Sequence, residues 1–222
     1  MTLPRRPLCA IFDLDGVLLD TEPLYTEAIA RVAARFDKTY DWSLKRHCIG
    51  RGTIDAARII VKGLDLPLSP EELVHERDLL LAPRVASAPA MRGAEAFTRA
   101  LAARGIPLGI ATSTEAPLFA VKTAAHRDWL GIFGAIVCGD DPRVVRSKPA
   151  PDIFLAAAQD LGASPETCVV FEDSPFGVEA ALSAGMLVVA MPDPAMDLAR
   201  YQRAHAVVTG FAELSVDVLG FS

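Results

Sequence analysis

Residues 8–20 read LCAIFDLDGVLLD, and this stretch decides the fold. Five apolar residues, Leu8 to Phe12, run into Asp13, and Asp15 follows two positions later with Gly16 directly behind it. A short, continuously apolar run closed by a turn residue suits a strand buried on both faces of a parallel sheet. In extended chain, residues i and i+2 project to the same side, so Asp13 and Asp15 face one point just beyond the strand's carboxyl end. Open α/β sheets place their ligands there. Two carboxylates at one point repel unless a proton or a cation intervenes, and the pair therefore predicts a bound metal.

Further strand-like runs span 106–112, 135–138, 168–172, 187–191 and 206–208, and helical patterns alternate with them from residue 93 onward. This is the pattern of repeated βα units on a parallel sheet. Gly105, Gly162 and Gly185 follow helical stretches where a left-handed cap is expected. About ninety residues separate the first strand from the second, far more than one crossover helix needs. The interval is helical by pattern: Tyr25, Ile29, Val32 and Phe36 share a face, a helix is expected from Thr53 to Val61, and Ser69, Pro70 and Glu72 open another that runs to Leu81. The expected architecture is α/β: a Rossmann-like parallel-sheet core at 1–19 and 88–222, with a small helical-bundle cap at 20–87 inserted after the first strand.

Composition narrows the partners. The formal net charge of -6 argues against nucleic acid or an anionic membrane, so an anionic substrate must be drawn in by a local site. Arg5 and Arg6 precede an apolar stretch that Asp13 interrupts too early for a signal peptide. Cys9, Cys48, Cys138 and Cys168 show no CxxC spacing and read as small thiols in a reducing compartment. A cytoplasmic protein is expected. Oligomeric state leaves no signal in the sequence, and a monomer is compatible with every motif.

Three more segments lie at strand ends beside the aspartate pair. Thr112, Ser113 and Thr114 supply hydroxyls and N–H groups ahead of a helix, a setting that suits phosphate oxygens. Lys148 lies in SKPAPDIF, and Glu172 and Asp173 close an apolar strand in FEDSPFG. Each has a plainer reading alone: the threonine turn as a helix cap, Lys148 as a solvated charge, the acidic pair as partners of a helix N-terminus. A calcium loop is the plainer reading of DxDG, but the following VLL supplies no oxygen ligand.

In this order the four segments resemble the haloacid dehalogenase superfamily, in the form that carries a helical cap after the first strand. The resemblance covers essentially the whole chain. It implies that Asp13 is a nucleophile that becomes an aspartyl phosphate and that Asp15 is the acid/base. It also implies Mg²⁺ on the Asp13 carboxylate, the Asp15 carbonyl and Asp173, with Glu172 reaching it through water. Thr112, Ser113, Thr114 and Lys148 would hold the phosphoryl group of a small phosphorylated substrate.

Superfamily dehalogenases have no second aspartate, so Asp15 favours phosphoryl transfer. The β-phosphoglucomutase group shares the core motifs but carries cations that are replaced here by Tyr25, Glu115 and, with Gly50 aligned, Thr53; Arg51 stands nearby. A mutase must clamp a second phosphate, so a phosphatase is expected, with the mutase as the alternative. DTEPLY, ARFDKTYDW, LPLSPEELV and CGDDPRV are similar to the pseudouridine-5′-phosphatases, which makes pseudouridine 5′-monophosphate the first substrate to consider, ahead of other nucleotides and sugar phosphates. Tyr25, Arg51 and Trp42 are the cap candidates for substrate contact, against the alternative that the aromatics simply pack the cap. A non-catalytic phosphate-binding or regulatory protein is the reading from another class, and the joint presence of Asp13, Asp15, Lys148 and Asp173 speaks against it.

Overall fold

A computed structural model describes residues 3–49 and 51–221, so Gly50 lies outside the described residues. Six strands form one sheet: β1 Cys9–Phe12, β2 Leu108–Ala111, β3 Ala135–Val137, β4 Cys168–Glu172, β5 Leu187–Ala190 and β6 Ala206–Val207. They are all parallel and lie in the order β3-β2-β1-β4-β5-β6. The chain winds outward in both directions from β1, so the crevice between β1 and β4 is the switch point of the sheet, where ligands of such folds bind. β1 and β4 end where their apolar runs end, and β2, β3, β5 and β6 end one residue earlier than theirs suggest. Asp13 and Thr112 therefore sit just past the ladder, free to face that crevice.

Alternation along the strands divides the core. Ala10 and Phe12 point to one face of the sheet, where Phe12 stacks on Phe171 at 4.5 Å between ring centroids and meets Phe97 and Phe133 edge-on. Cys9 and Ile11 point to the other, against Phe154, Ala157 and Val178. The helices on the core are α5 Ala94–Ala103, α6 Ala116–Lys122, α7 Arg127–Leu130, α8 Asp152–Asp160, α9 Pro175–Ser183 and the short α10 Val216–Leu219. Gly105, Gly162 and Gly185 adopt positive φ at helix ends, as expected. All four cysteines are free.

Between β1 and β2 the chain builds α1 Glu22–Ala34, α2 Trp42–Lys45, α3 Thr53–Leu64 and α4 Pro70–Val85. These helices have their own apolar cluster, in which Ile29, Val32, Ala57, Ile60 and Leu73 are buried. Helix α4 starts in a reciprocal capping box, with Glu72 N–H donating to Ser69 Oγ and Ser69 N–H to the Glu72 carboxylate. It runs past the expected Leu81, through Pro83 to Val85. The outgoing and returning chains pair, Asp20 N–H with the Pro89 carbonyl at 2.9 Å and Met91 N–H with that of Leu18 at 2.8 Å. No helix among the described residues is long and apolar enough to cross a membrane.

Candidate active site

Asp13 leaves β1 buried, and Lys148 donates to its Oδ1 at 2.7 Å. The same ammonium donates to Glu172 Oε1, and Glu172 Oε2 accepts from the N–H and hydroxyl of Ser174. Lys148 is thus a buried cation between two carboxylates, not a solvated charge. Burial lowers its proton affinity, but the charges of Asp13 and Glu172 outweigh this and hold its pKa above the ordinary value.

Asp15 has a separate set of partners. Its Oδ1 accepts from the Thr21 hydroxyl at 2.5 Å, its Oδ2 from the Thr114 hydroxyl at 2.9 Å, and Lys122 Nζ donates to both oxygens at 2.7 and 2.8 Å. Burial would raise its pKa. The charge and hydrogen bonds of Lys122, joined by Thr21 and Thr114, hold the carboxyl below its usual value. Lys122 is completely buried at the end of α6, and sequence reasoning missed it, because a lysine closing a helix ordinarily reads as a solvent-facing complement to the helix dipole.

In the threonine turn two of the hydroxyls make contacts within the protein. Thr112 is buried, and its hydroxyl accepts the Thr114 N–H at 3.1 Å. The Thr114 hydroxyl is directed to Asp15, while Ser113 is exposed along the cavity.

Carboxylate oxygens of Asp13, Glu172 and Asp173 lie within 4.8 Å of one another. Burial, opposed by Lys148 and reinforced by Glu172 and Asp15, pushes Asp13 up to about 7. Burial with the charges of Glu172 and Asp13 pushes Asp173 well above the carboxylate range. Among the described residues no group donates a hydrogen bond to the Asp173 carboxylate. A cluster of hard oxygens, short of positive charge and holding one unpartnered carboxylate, fits a divalent cation such as Mg²⁺. Gly16 keeps the space clear: it adopts φ 78°, and a Cβ there would come 2.5 Å from Asp173 Oδ2.

A cavity of about 590 Å³ extends from these groups into the helices after β1. Tyr25 lies on it, with Lys122 Nζ 4.9 Å and the Arg77 guanidinium 5.2 Å from its ring centre. Ile29, Val32 and Phe36 join the apolar cluster of the helices, but Tyr25, expected on the same face, turns to the cavity. Arg51 lines the cavity too, its guanidinium 4.8 Å over the Phe176 ring. Trp42 does not line it. Its indole N–H donates to the Ala195 carbonyl at 3.1 Å and its ring packs on the core, so it fastens α2 to the sheet domain side. Two cations on the helical side are already paired, Lys45 with Glu22 at 3.1 Å and Arg77 with Asp78 at 2.7 Å.

Comparison with known proteins agrees with this geometry. The family model described as haloacid dehalogenase-like hydrolase matches residues 8–185. The chain belongs to that family. It is 41% identical over 219 residues to a probable pseudouridine-5′-phosphatase of Drosophila melanogaster, covering 97% of this chain and 95% of that protein. It is also 41% identical over 215 residues to (DL)-glycerol-3-phosphatase 2 of Arabidopsis thaliana, covering 95% and 90%. The fold matches CbbY from Rhodobacter sphaeroides in complex with phosphate, with a TM-score of 0.78 and 25% identity over 96% of this chain and 99% of that one. A putative β-phosphoglucomutase from Thermotoga maritima matches with a TM-score of 0.69 and 33% identity, over 90% and 93%. As a haloacid dehalogenase-like hydrolase with phosphatases as relatives, the chain is a phosphoric monoester hydrolase.

Proposed function

We propose that this phosphatase hydrolyses a small, hydroxyl-bearing phosphomonoester at Asp13, with residues 20–87 acting as a cap over the core formed by 1–19 and 88–222. The observation that carries the proposal is the separate pairing of the two aspartates, Asp13 with Lys148 and Asp15 with Lys122. Asp13 attacks phosphorus while the Asp15 carboxyl gives its proton to the departing oxygen, leaving an aspartyl phosphate, a free alcohol and the Asp15 carboxylate. Water then attacks the phosphorus and loses its proton to Asp15, which restores both aspartates and releases phosphate. Lys148, the Thr112 hydroxyl and the Thr112–Thr114 turn hold the oxygens on which charge collects. Asp13, Asp173 and the Asp15 carbonyl would hold Mg²⁺, with Glu172 behind them; the ion would supply the positive charge that lets an anionic nucleophile approach an anionic substrate.

On the cap side, Lys45 and Arg77 are each neutralised by a carboxylate. Ion pairs of this kind offer donors and acceptors to hydroxyl groups but little attraction to a second phosphate. This favours a phosphatase over a phosphomutase. Pseudouridine 5′-monophosphate remains the first candidate, since the cavity is of a size that encloses a nucleoside and Tyr25 and Arg51 border it. Glycerol 3-phosphate is the second, on the equal identity to the plant phosphatase. The free cysteines suit a reducing compartment such as the cytoplasm. The test is Mg²⁺-dependent phosphate release from a panel of both substrates, sugar phosphates and para-nitrophenyl phosphate. Activity retained by Asp13→Asn refutes the mechanism, and conversion of β-glucose 1-phosphate to glucose 6-phosphate refutes the phosphatase reading.

A further inference from the structure

The site holds two buried lysines, and the chemistry proposed above uses only one. Lys148 touches the nucleophile, whereas Lys122 touches nothing that reacts except through Asp15. Its ammonium is enclosed by Asp15 Oδ1, Asp15 Oδ2, Thr114 Oγ1 at 2.9 Å and the face of Tyr25. Burying a lysine is costly, and a buried ion pair is seldom the most stable way to fill such a space. The placement therefore calls for a role beyond stability.

We infer that Lys122 is a positioning residue that fixes the Asp15 carboxyl group for proton transfer, to the leaving oxygen when it is protonated and from the attacking water when it is ionised. One ammonium bound to both oxygens sets the plane of the carboxylate, and the hydroxyls of Thr21 and Thr114 fix its two ends. The grip comes from both sides of the cavity: Thr114 and Lys122 belong to the turn after β2 and to α6, while Thr21 and Tyr25 belong to the start of α1. Closure of the helices over a substrate would bear on Lys122 through Tyr25, and so on the orientation of the acid. Small displacements of a proton donor are expensive in rate, because transfer needs hydrogen-bond contact with the reacting oxygen.

The inference rests on Asp15 being the general acid, and a leaving-group series separates the two claims. With para-nitrophenyl phosphate the leaving oxygen departs without a proton, with phenyl phosphate it needs more help, and with para-methoxyphenyl phosphate more still. kcat/KM reports the steps up to that departure. For Lys122→Met the deficit relative to the parent enzyme should grow along the series, from about threefold with para-nitrophenyl phosphate to about thirtyfold with phenyl phosphate, short of the roughly hundredfold or more ascribed to the acid itself, as suits a residue that positions it. Thr114→Val keeps the backbone N–H and the side-chain volume but removes the hydroxyl between Lys122 and Asp15; it should show the same trend at roughly a third of the size. Asp15→Asn is the reference and should show the steepest dependence. A flat series in Asp15→Asn overturns the Asp15 assignment and the inference with it. A steep series in Asp15→Asn with a uniform loss in Lys122→Met overturns the Lys122 inference alone. If Lys122→Met does not fold, as judged by its melting transition, Thr114→Val decides: a growing deficit supports the role and a uniform one refutes it.

Discussion

Gly177→Ala should destabilise this protein, although the general rule for a glycine within a helix is the opposite. Gly177 lies in the first turn of α9, where its N–H donates to Ser174 Oγ at 3.0 Å. Its backbone is not in the left-handed region, so alanine would ordinarily add about 0.5–1 kcal/mol of stability. Here, however, a Cβ on Gly177 falls on the Glu172 carboxyl group itself, with all its atoms inside contact distance. Glu172 is wholly buried and its oxygens are engaged by Lys148, the Ser174 N–H at 2.8 Å and the Ser174 hydroxyl at 3.0 Å. Either the carboxylate turns away or the end of α9 lifts, and each breaks at least one of these bonds. A hydrogen bond to a charged group contributes about 1.5–3 kcal/mol, so losing one or two outweighs the alanine gain and leaves a net loss of about 0.5–5.5 kcal/mol. Urea unfolding of Gly177→Ala, Glu172→Ala and the double variant measures it directly. With the Glu172 side chain gone, the alanine at 177 should recover its ordinary benefit, and the coupling between the two sites should equal the broken hydrogen bonds, about 1.5–6 kcal/mol. A single variant as stable as the parent, or additive effects, refutes the claim that Gly177 exists to admit Glu172.

Four further outcomes follow from the same geometry. Glu22→Gln frees Lys45 in the cavity, and should raise kcat/KM for fructose 1,6-bisphosphate relative to fructose 1-phosphate about fivefold, the worth of roughly 1 kcal/mol for one charge in a partly solvated setting; an unchanged ratio counts against the substrate reading. Saturating Mg²⁺ should raise the melting temperature of the parent protein, by about 2.7 kcal/mol of stability at a hundredfold excess over its dissociation constant. Asp173→Asn should melt higher than the parent without metal, since it removes one of three clustered carboxylates, and should lose the Mg²⁺ increment; an undiminished increment would remove Asp173 from the cation site. Ser69→Ala should cost about 1 kcal/mol by opening the capping box of α4, with activity on para-nitrophenyl phosphate kept, as chemical unfolding and a rate assay would show.

The core half of the site is legible in the sequence because topology does the assembling. Parallel strands bring their carboxyl ends to one edge whatever their separation along the chain, so Asp13, Thr112 and Glu172 need only follow apolar runs to arrive together. No comparable rule governs Lys122. Whether a lysine at a helix end faces water or a carboxylate depends on how α6 meets the chain after β1 across the cavity, and Lys122 and Asp15 are 107 residues apart, so the contact leaves no local trace. Tyr25 shows the same limit from the other side. Its spacing with Ile29, Val32 and Phe36 is right for a core face, yet it lies one turn before the apolar cluster begins and reaches the cavity instead. For Trp42, residue type suggests stacking on a substrate, whereas the loop around Ala195 decides where the ring packs.

The charges at the crevice tie these parts together. Asp13, Asp15, Glu172 and Asp173 bring four carboxylates, against which Lys148 and Lys122 bring two ammonium groups. The two lysines are not shared: Lys148 serves Asp13 and Glu172, and Lys122 serves Asp15. Each ammonium favours the ionised form of the carboxylate it holds: under the proposed mechanism Asp13 attacks in that form, and Asp15 in that form takes the proton of the attacking water. What is left over is the charge of two carboxylates, gathered around Asp173, and it matches the charge of one divalent cation. The opening run FDLDG therefore demands more than the one metal its paired aspartates suggest: it demands a metal for Asp13 and a separate lysine for Asp15, and only the second of these had to be found in the folded chain.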